Sequence, residues 1–198
     1  MNSLPREFYL RPDVVTIARD LLGKVLMTNF EGRLTGGTIT ETEAYEGTTD
    51  RASHAFGERR TDRTEIMYRV GGTAYIYLCY GVHSLFNIVT NIENIPHAVL
   101  IRAIKPVEGV SIILERTGKT ETNKEITNGP GKVSKALGIH YKESGLDLTK
   151  DNINSIGKIW IEEREAIVKS SKIIVTPRIG VDYAGTDALL PYRFLINL

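Results

Sequence analysis

The feature that most restricts the fold is how little chain separates the β-prone runs. Residues 73–80 (TAYIYLCY) are dense in aromatic and β-favouring side chains, and a turn at Gly81-Val82-His83 leads straight into a returning run at 85–90. Parallel neighbours need a crossover of a dozen or more residues, so these two runs pair antiparallel as a hairpin. The same holds upstream. Residues 24–30 read as a strand, Glu31-Gly32 as a turn, and residues 33–45 as a partner strand bent at Gly36-Gly37. Further strands are expected at 99–104, closed by Pro106, and around 159–163 and 173–176.

Helical signals are few and short. Asp13 precedes Val14, Ile17, Ala18 and Leu21 at helical spacing, with Gly23 to stop the turn. Gly129-Pro130-Gly131-Lys132 opens a second helix carrying Val133, Ala136 and Leu137 and ending at Gly138. Residues 115–127 are polar and read as an exposed excursion. The expectation is an α+β fold: a single domain over 1–198 with a curved, mainly antiparallel sheet flanked by short helices. A hydrophobic fraction of 41% is enough to build its core.

Composition narrows the function classes. Cys79 is the single cysteine, which excludes an internal disulfide and a multi-cysteine metal site. His54, His83, His97 and His140 show no paired helical spacing, so no metal is expected. There is no G-x-S-x-G elbow and no G-x-x-x-x-G-K-[ST] phosphate loop. Residues 1–6 contain Pro5 and no apolar run, so neither a signal nor a transit peptide is expected. No stretch reaches membrane-spanning length, and the expected location is the cytoplasm. Net charge is +1, so any nucleic-acid binding must come from a local patch. The candidate lies within 51–69, where Arg51, Arg59, Arg60, Arg63 and Arg69 outnumber Glu58, Asp62 and Glu65.

Strand periodicity places side chains relative to one another. Glu43 and Tyr45 are two apart and share a face, and Glu41 joins them if the strand is regular, so parity alone does not choose between the two carboxylates. Tyr75 and Tyr77 likewise share a face, with Tyr80 at the turn end on the opposite one. The helix start at Gly129-Pro130-Gly131-Lys132 offers free N–H groups to a phosphate.

Seven segments, taken together, resemble the alkyladenine (3-methylpurine) DNA glycosylase family. They are 41–45 (ETEAY), 53–55 (SHA), 59–67, 75–83 (YIYLCYGVH) with Asn87, 100–103 (LIRA), 128–132 (NGPGK) and 178–185 (RIGVDYAG). The resemblance implies a monofunctional DNA N-glycosylase of the 3-methyladenine glycosylase II type. Such an enzyme removes alkylated or deaminated purines from double-stranded DNA and needs no cofactor and no obligate protein partner, most simply as a monomer. By that likeness Glu43 activates water and Arg102 helps hold it, with the backbone of Val181 also in contact. Tyr45, His54 and Tyr77 receive the extruded purine, Asn87 excludes guanine, and Tyr80 fills the gap in the duplex. Arg59, Arg63 and Lys132 would contact the DNA backbone. The loop departs from the family pattern at Asp62 and Thr64, where Pro and Asn are usual.

Two other readings compete with it. Lys132 could be the Schiff-base nucleophile of a helix-hairpin-helix glycosylase with lyase activity. Alternatively, the chain could bind nucleic acid without catalysis, using its aromatics and arginines alone.

Overall fold

A computed structural model describes residues 3–149, 157–164 and 168–197. After a one-turn helix α1 (Arg6–Tyr9) comes α2 (Val14–Asp20). Asp13 caps α2 by accepting from the Val15 and Thr16 N–H groups at 2.9 and 3.0 Å, a contribution of about 1 kcal/mol. The strands β1 (Val25–Phe30) and β2 (Arg33–Tyr45) form the first hairpin. Its turn residues Glu31 and Gly32 both have positive φ, as the tight hairpin turn requires.

Next come β3 (Ala74–Cys79), β4 (His83–Thr90), β5 (His97–Glu108), α3 (Val110–Thr117) and α4 (Pro130–Leu137). The last strands are β6 (Lys158–Glu162), β7 (Ile174–Thr176) and β8 (Arg193–Leu195). The sheet runs β3-β4-β5-β2-β1-β6, with β8 joining β2 and β7, and its pairings are antiparallel. The α+β expectation with an antiparallel sheet holds.

β2 organises the molecule. Its first half pairs with β1 as far as Thr38, and its second half picks up β8 at Glu41, Thr42 and Glu43. Its other edge pairs with β5 from Gly36 to Tyr45, with register shifts at Gly36/Gly37, Ile39/Glu41 and Glu41/Thr42. Such bulges bend a strand and increase its twist, which curves the sheet.

Alternation along the strands then separates core from site. Thr42, Ala44, Ile76, Phe86, Ile88, Val99 and Ile101 are buried, and all but Thr42 join the apolar cluster with Ile17, Leu21, Ile113, Val133 and Leu137 of the helices. Thr42 bonds the Ala18 carbonyl of α2 at 2.8 Å. The intervening residues Glu43, Tyr45, Tyr75, Tyr77, Asn87, Leu100 and Arg102 project from the other face.

Three expectations need correction, and one helix had no sequence signal. Residues 115–127 are not wholly an exposed excursion, because 115–117 finish α3 and Ile126 and Thr127 are buried. α3 starts at Gly109 without a side-chain cap, so the usual start signal is missing. Pro106 does not close β5, which continues to Glu108; it sits at the register shift beside Gly37, where the ladder is already broken. Tyr80 is a turn residue at φ 51° rather than a regular strand position, so strand parity does not set its direction.

Candidate active site

A cavity of about 220 Å³ opens on the face of the sheet away from the helices. Its walls include Tyr45, His54, Tyr75, Tyr77, Tyr80, Asn87, Arg102 and Val181. Four strands, the β3–β4 turn and two loops therefore converge on one space, although the residues are spread over more than a hundred positions of sequence.

Glu43 lies behind the wall with none of its surface exposed. Its Oε2 accepts from the Tyr45 hydroxyl at 2.8 Å and from Arg102 Nη1 at 3.3 Å, and its Oε1 accepts from the Ile179 N–H at 2.8 Å. Burial raises the carboxyl pKa above the ordinary value, and Arg102, the Ile179 N–H and the Tyr45 hydroxyl each act against that rise. Glu41 projects to the same side but has other partners: its Oε1 accepts from Arg102 Nε at 2.9 Å and Arg193 Nε at 2.6 Å. The two carboxylates are thus different in kind. Glu43 is tied to cavity-lining groups, whereas Glu41 is neutralised by two arginines.

Aromatic rings form the opposite wall. The Tyr75 and Tyr77 centroids are 5.5 Å apart, and the His54 ring meets Tyr77 edge-on at 4.7 Å. His54 Nδ1 lies 2.8 Å from the Tyr75 hydroxyl, and Arg63 Nη2 lies 3.0 Å from His54 Nε2. Arg63 Nη2 also lies 3.4 Å from His54 Nδ1, and since a guanidinium only donates, the imidazole ring is the acceptor in this contact. Burial, followed by the charges of Arg63 and Arg59, lowers the His54 pKa to about 4, leaving the ring neutral at physiological pH. Asn87 is buried and commits its amide hydrogens to the Tyr75 and Leu85 carbonyls, both at 3.2 Å.

Tyr80 stands at the rim, 93% exposed. Beside it Gly81 also has positive φ, so the two residues together make the β3–β4 turn and hold the ring out from the body. The basic residues are placed differently from one another. Arg59, Arg63 and Lys132 are all exposed and none of them lines the cavity, but Arg63 packs over Tyr77 with its guanidinium carbon 4.7 Å from the ring centroid. Thr64, one of the unusual loop residues, is buried and bonds the Arg59 carbonyl at 3.0 Å, so it braces the loop from within. No group of three or more His, Cys, Asp or Glu side chains among the described residues is arranged to hold a metal ion.

The family model of methylpurine-DNA glycosylase (MPG) matches residues 7–198. The chain belongs to the methylpurine-DNA glycosylase family. Relatives with the printed name "Putative 3-methyladenine DNA glycosylase" include one from Chlamydia felis, 46% identical over 196 residues, covering 98% of this chain and 96% of its own length. One from Bacillus cereus is 43% identical over 195 residues, 96% of this chain and 93% of its own length. Another from Clostridium novyi is 41% identical over 204 residues, 100% of this chain and 96% of its own length. Family membership makes this chain a DNA glycosylase and excludes the helix-hairpin-helix reading of Lys132.

Three features of this glycosylase site lay beyond sequence reasoning: the Ile179 N–H on Glu43, the double arginine clasp on Glu41, and a buried Asp50–Arg178 pair. Arg178 opens the 178–185 segment that carries part of the resemblance, but nothing in that segment pairs it with Asp50.

Proposed function

We propose that this glycosylase extrudes alkylated or deaminated purines from duplex DNA and hydrolyses the N-glycosidic bond with a water activated by Glu43. The observation that carries this reading is a carboxylate with no exposed surface, held by three donors beside an aromatic cavity. Water attacks the anomeric carbon as the bond to the base breaks. The bonding pair leaves with the purine, and the water proton passes to Glu43. Glu43 also faces the positive charge that develops on the sugar, and both roles require it to be ionised. A cationic alkylated purine leaves as the neutral base, whereas a neutral deaminated purine leaves as its anion and takes a proton from solvent; the other product is an abasic site, with no covalent enzyme intermediate and no metal or organic cofactor in the step.

A base inside the stack hides its glycosidic bond, so the nucleotide must leave the helix at a cost of a few kcal/mol. Tyr80 fills the gap it vacates. The base enters between Tyr45, Tyr77 and His54. Purines alkylated at N3 or N7 are cationic, and a cation against tyrosine faces gains about 0.5–2 kcal/mol over a neutral base. Asn87 crowds the 2-amino group of guanine, and Arg102 and the Val181 backbone help place the water. Arg59, Arg63 and Lys132 meet phosphates, and the protein works as a monomer on DNA in the cytoplasm.

The test is a panel of defined duplexes carrying 3-methyladenine, 7-methylguanine, hypoxanthine or ethenoadenine, with abasic product read by alkaline cleavage. No release from any lesion would leave a binding module and reject the enzyme. Trapping of a protein–DNA adduct by borohydride would reject direct hydrolysis in favour of a lysine nucleophile.

A further inference from the structure

We propose that Arg178, anchored by Asp50, is a positioning residue for the Glu43 carboxylate and acts through Tyr45, Ala44 and Ile179 without touching Glu43 itself. The inference rests on Glu43 being the base. Arg178 has no exposed side-chain surface, and Asp50 has 1%. The pair is bidentate, Arg178 Nη1 to Asp50 Oδ2 and Nη2 to Oδ1, the latter at 2.9 Å.

Three links run from this guanidinium toward the base. Its carbon lies 4.8 Å from the Tyr45 ring centroid, and that ring carries the hydroxyl that donates to Glu43 Oε2 at 2.8 Å. Its Nη1 donates at 2.9 Å to the carbonyl of Ala44, the residue between Glu43 and Tyr45. The peptide that follows it supplies the Ile179 N–H to Glu43 Oε1 at 2.8 Å. Both oxygens of the carboxylate therefore receive a donor whose position Arg178 sets. Tyr192 packs on the guanidinium at 5.3 Å and steadies it from β8's side of the site.

Stability is a poor reason for such a group. A buried ion pair roughly breaks even against apolar packing. Arg178 Nε is also buried without a hydrogen-bond partner among the described residues, a further cost. What the arrangement supplies is a fixed direction for a carboxylate that burial would otherwise push toward its neutral form. The charged and titratable groups facing Glu43 are Tyr45 and Glu41 on β2 and Arg102 on β5, with Arg193 of β8 behind Glu41 and with Arg178 and Tyr183 close enough to interact with it electrostatically.

The experiment uses the full chain with Arg178→Lys, Asp50→Asn and Glu43→Gln in parallel. It measures single-turnover excision of hypoxanthine across pH, normalised to titrated active sites, and affinity for a duplex carrying a tetrahydrofuran abasic analogue. Lysine keeps the charge but loses the fork and the flat face against Tyr45. The rate per active site is expected to fall about 10²-fold, the loss typical of a displaced reacting group. The acid limb of the profile should move to higher pH, because the donors that keep Glu43 ionised are displaced, while duplex affinity stays unchanged. A wild-type rate per site with an unmoved acid limb overturns the proposal, however far the melting temperature drops, since the pair would then be structural alone. If Arg178→Lys does not fold, Asp50→Asn decides by the same limb. Wild-type excision by Glu43→Gln overturns the reading of Glu43 instead, whereas an inactive Glu43→Gln beside unshifted variants overturns this inference alone.

Discussion

Arg102 makes its shorter hydrogen bond to Glu41, 2.9 Å from Nε to Oε1, and reaches Glu43 only at 3.3 Å. With Arg193 also on Glu41, that carboxylate is held by two arginines, whereas Glu43 shares Arg102 with the Tyr45 hydroxyl and the Ile179 N–H, the setting of the base in the proposed mechanism. The two glutamates share a strand face but not an environment.

Glu43→Gln should therefore lose about 10²–10⁴-fold in single-turnover excision of hypoxanthine. Cationic 3-methyladenine, with its better leaving group, should suffer least. Glu41→Gln should lose far less, and lesion-duplex affinity by gel shift should survive in both. A larger loss in Glu41→Gln would exchange the roles.

The same substitution makes a stability prediction of opposite sign. Glu43 has a raised pKa in the folded state, so the native protein holds that proton more tightly than the unfolded chain does. Stability from this group is present below the unfolded pKa and is lost as pH rises through the folded value. At pH 8 the charged carboxylate opposes folding, and Glu43→Gln should melt no lower than wild type. A gain of about 1 kcal/mol would appear as about 2–4 °C in calorimetry.

Histidine gives the reverse pH trend. His54 titrates at about 4 in the folded protein, and burial lowers His97 as well, so the unfolded chain binds more protons between that range and the ordinary histidine value near 6.5. Stability from these groups should be present at pH 7 and fall between about pH 6.5 and 4. His54→Gln should reduce the drop in melting temperature between pH 7 and pH 5. An unchanged drop would show that His54 does not stay neutral.

Tyr80 carries a left-handed backbone, which costs a non-glycine residue about 1 kcal/mol, and buries almost nothing in return. Tyr80→Gly should raise the melting temperature, while Tyr80→Ser should leave the fold intact. Both should weaken capture of lesion duplex and slow excision. Unfolding of either variant would contradict a role at the rim.

Asn87→Ser should open the cavity beside the purine edge. The ratio of 7-methylguanine to hypoxanthine excision should rise about tenfold or more, the scale on which a pocket senses one small group. An equal ratio in variant and wild type would remove Asn87 from selectivity.

The sequence by itself determined the elements whose signals are local. The hairpins follow from Glu31-Gly32 and Gly81, the start of α2 from Asp13, and the meeting of Glu43 with Tyr45 from a period of two, which no later packing can change without unpairing the strand. It did not reveal α3, which begins at Gly109 without a capping side chain, or β8, three residues that are extended because β2 and β7 lie on either side. Strand parity alone left Glu41 and Glu43 equivalent, and it was the family likeness that singled out Glu43. Their difference arises from Arg102, Arg193, Tyr45 and Ile179, which reach them from β5, β8, their own strand and a distant loop. Hydrogen-bond partners far apart in sequence have no local pattern to betray them, so only the folded chain shows how differently the two carboxylates are held.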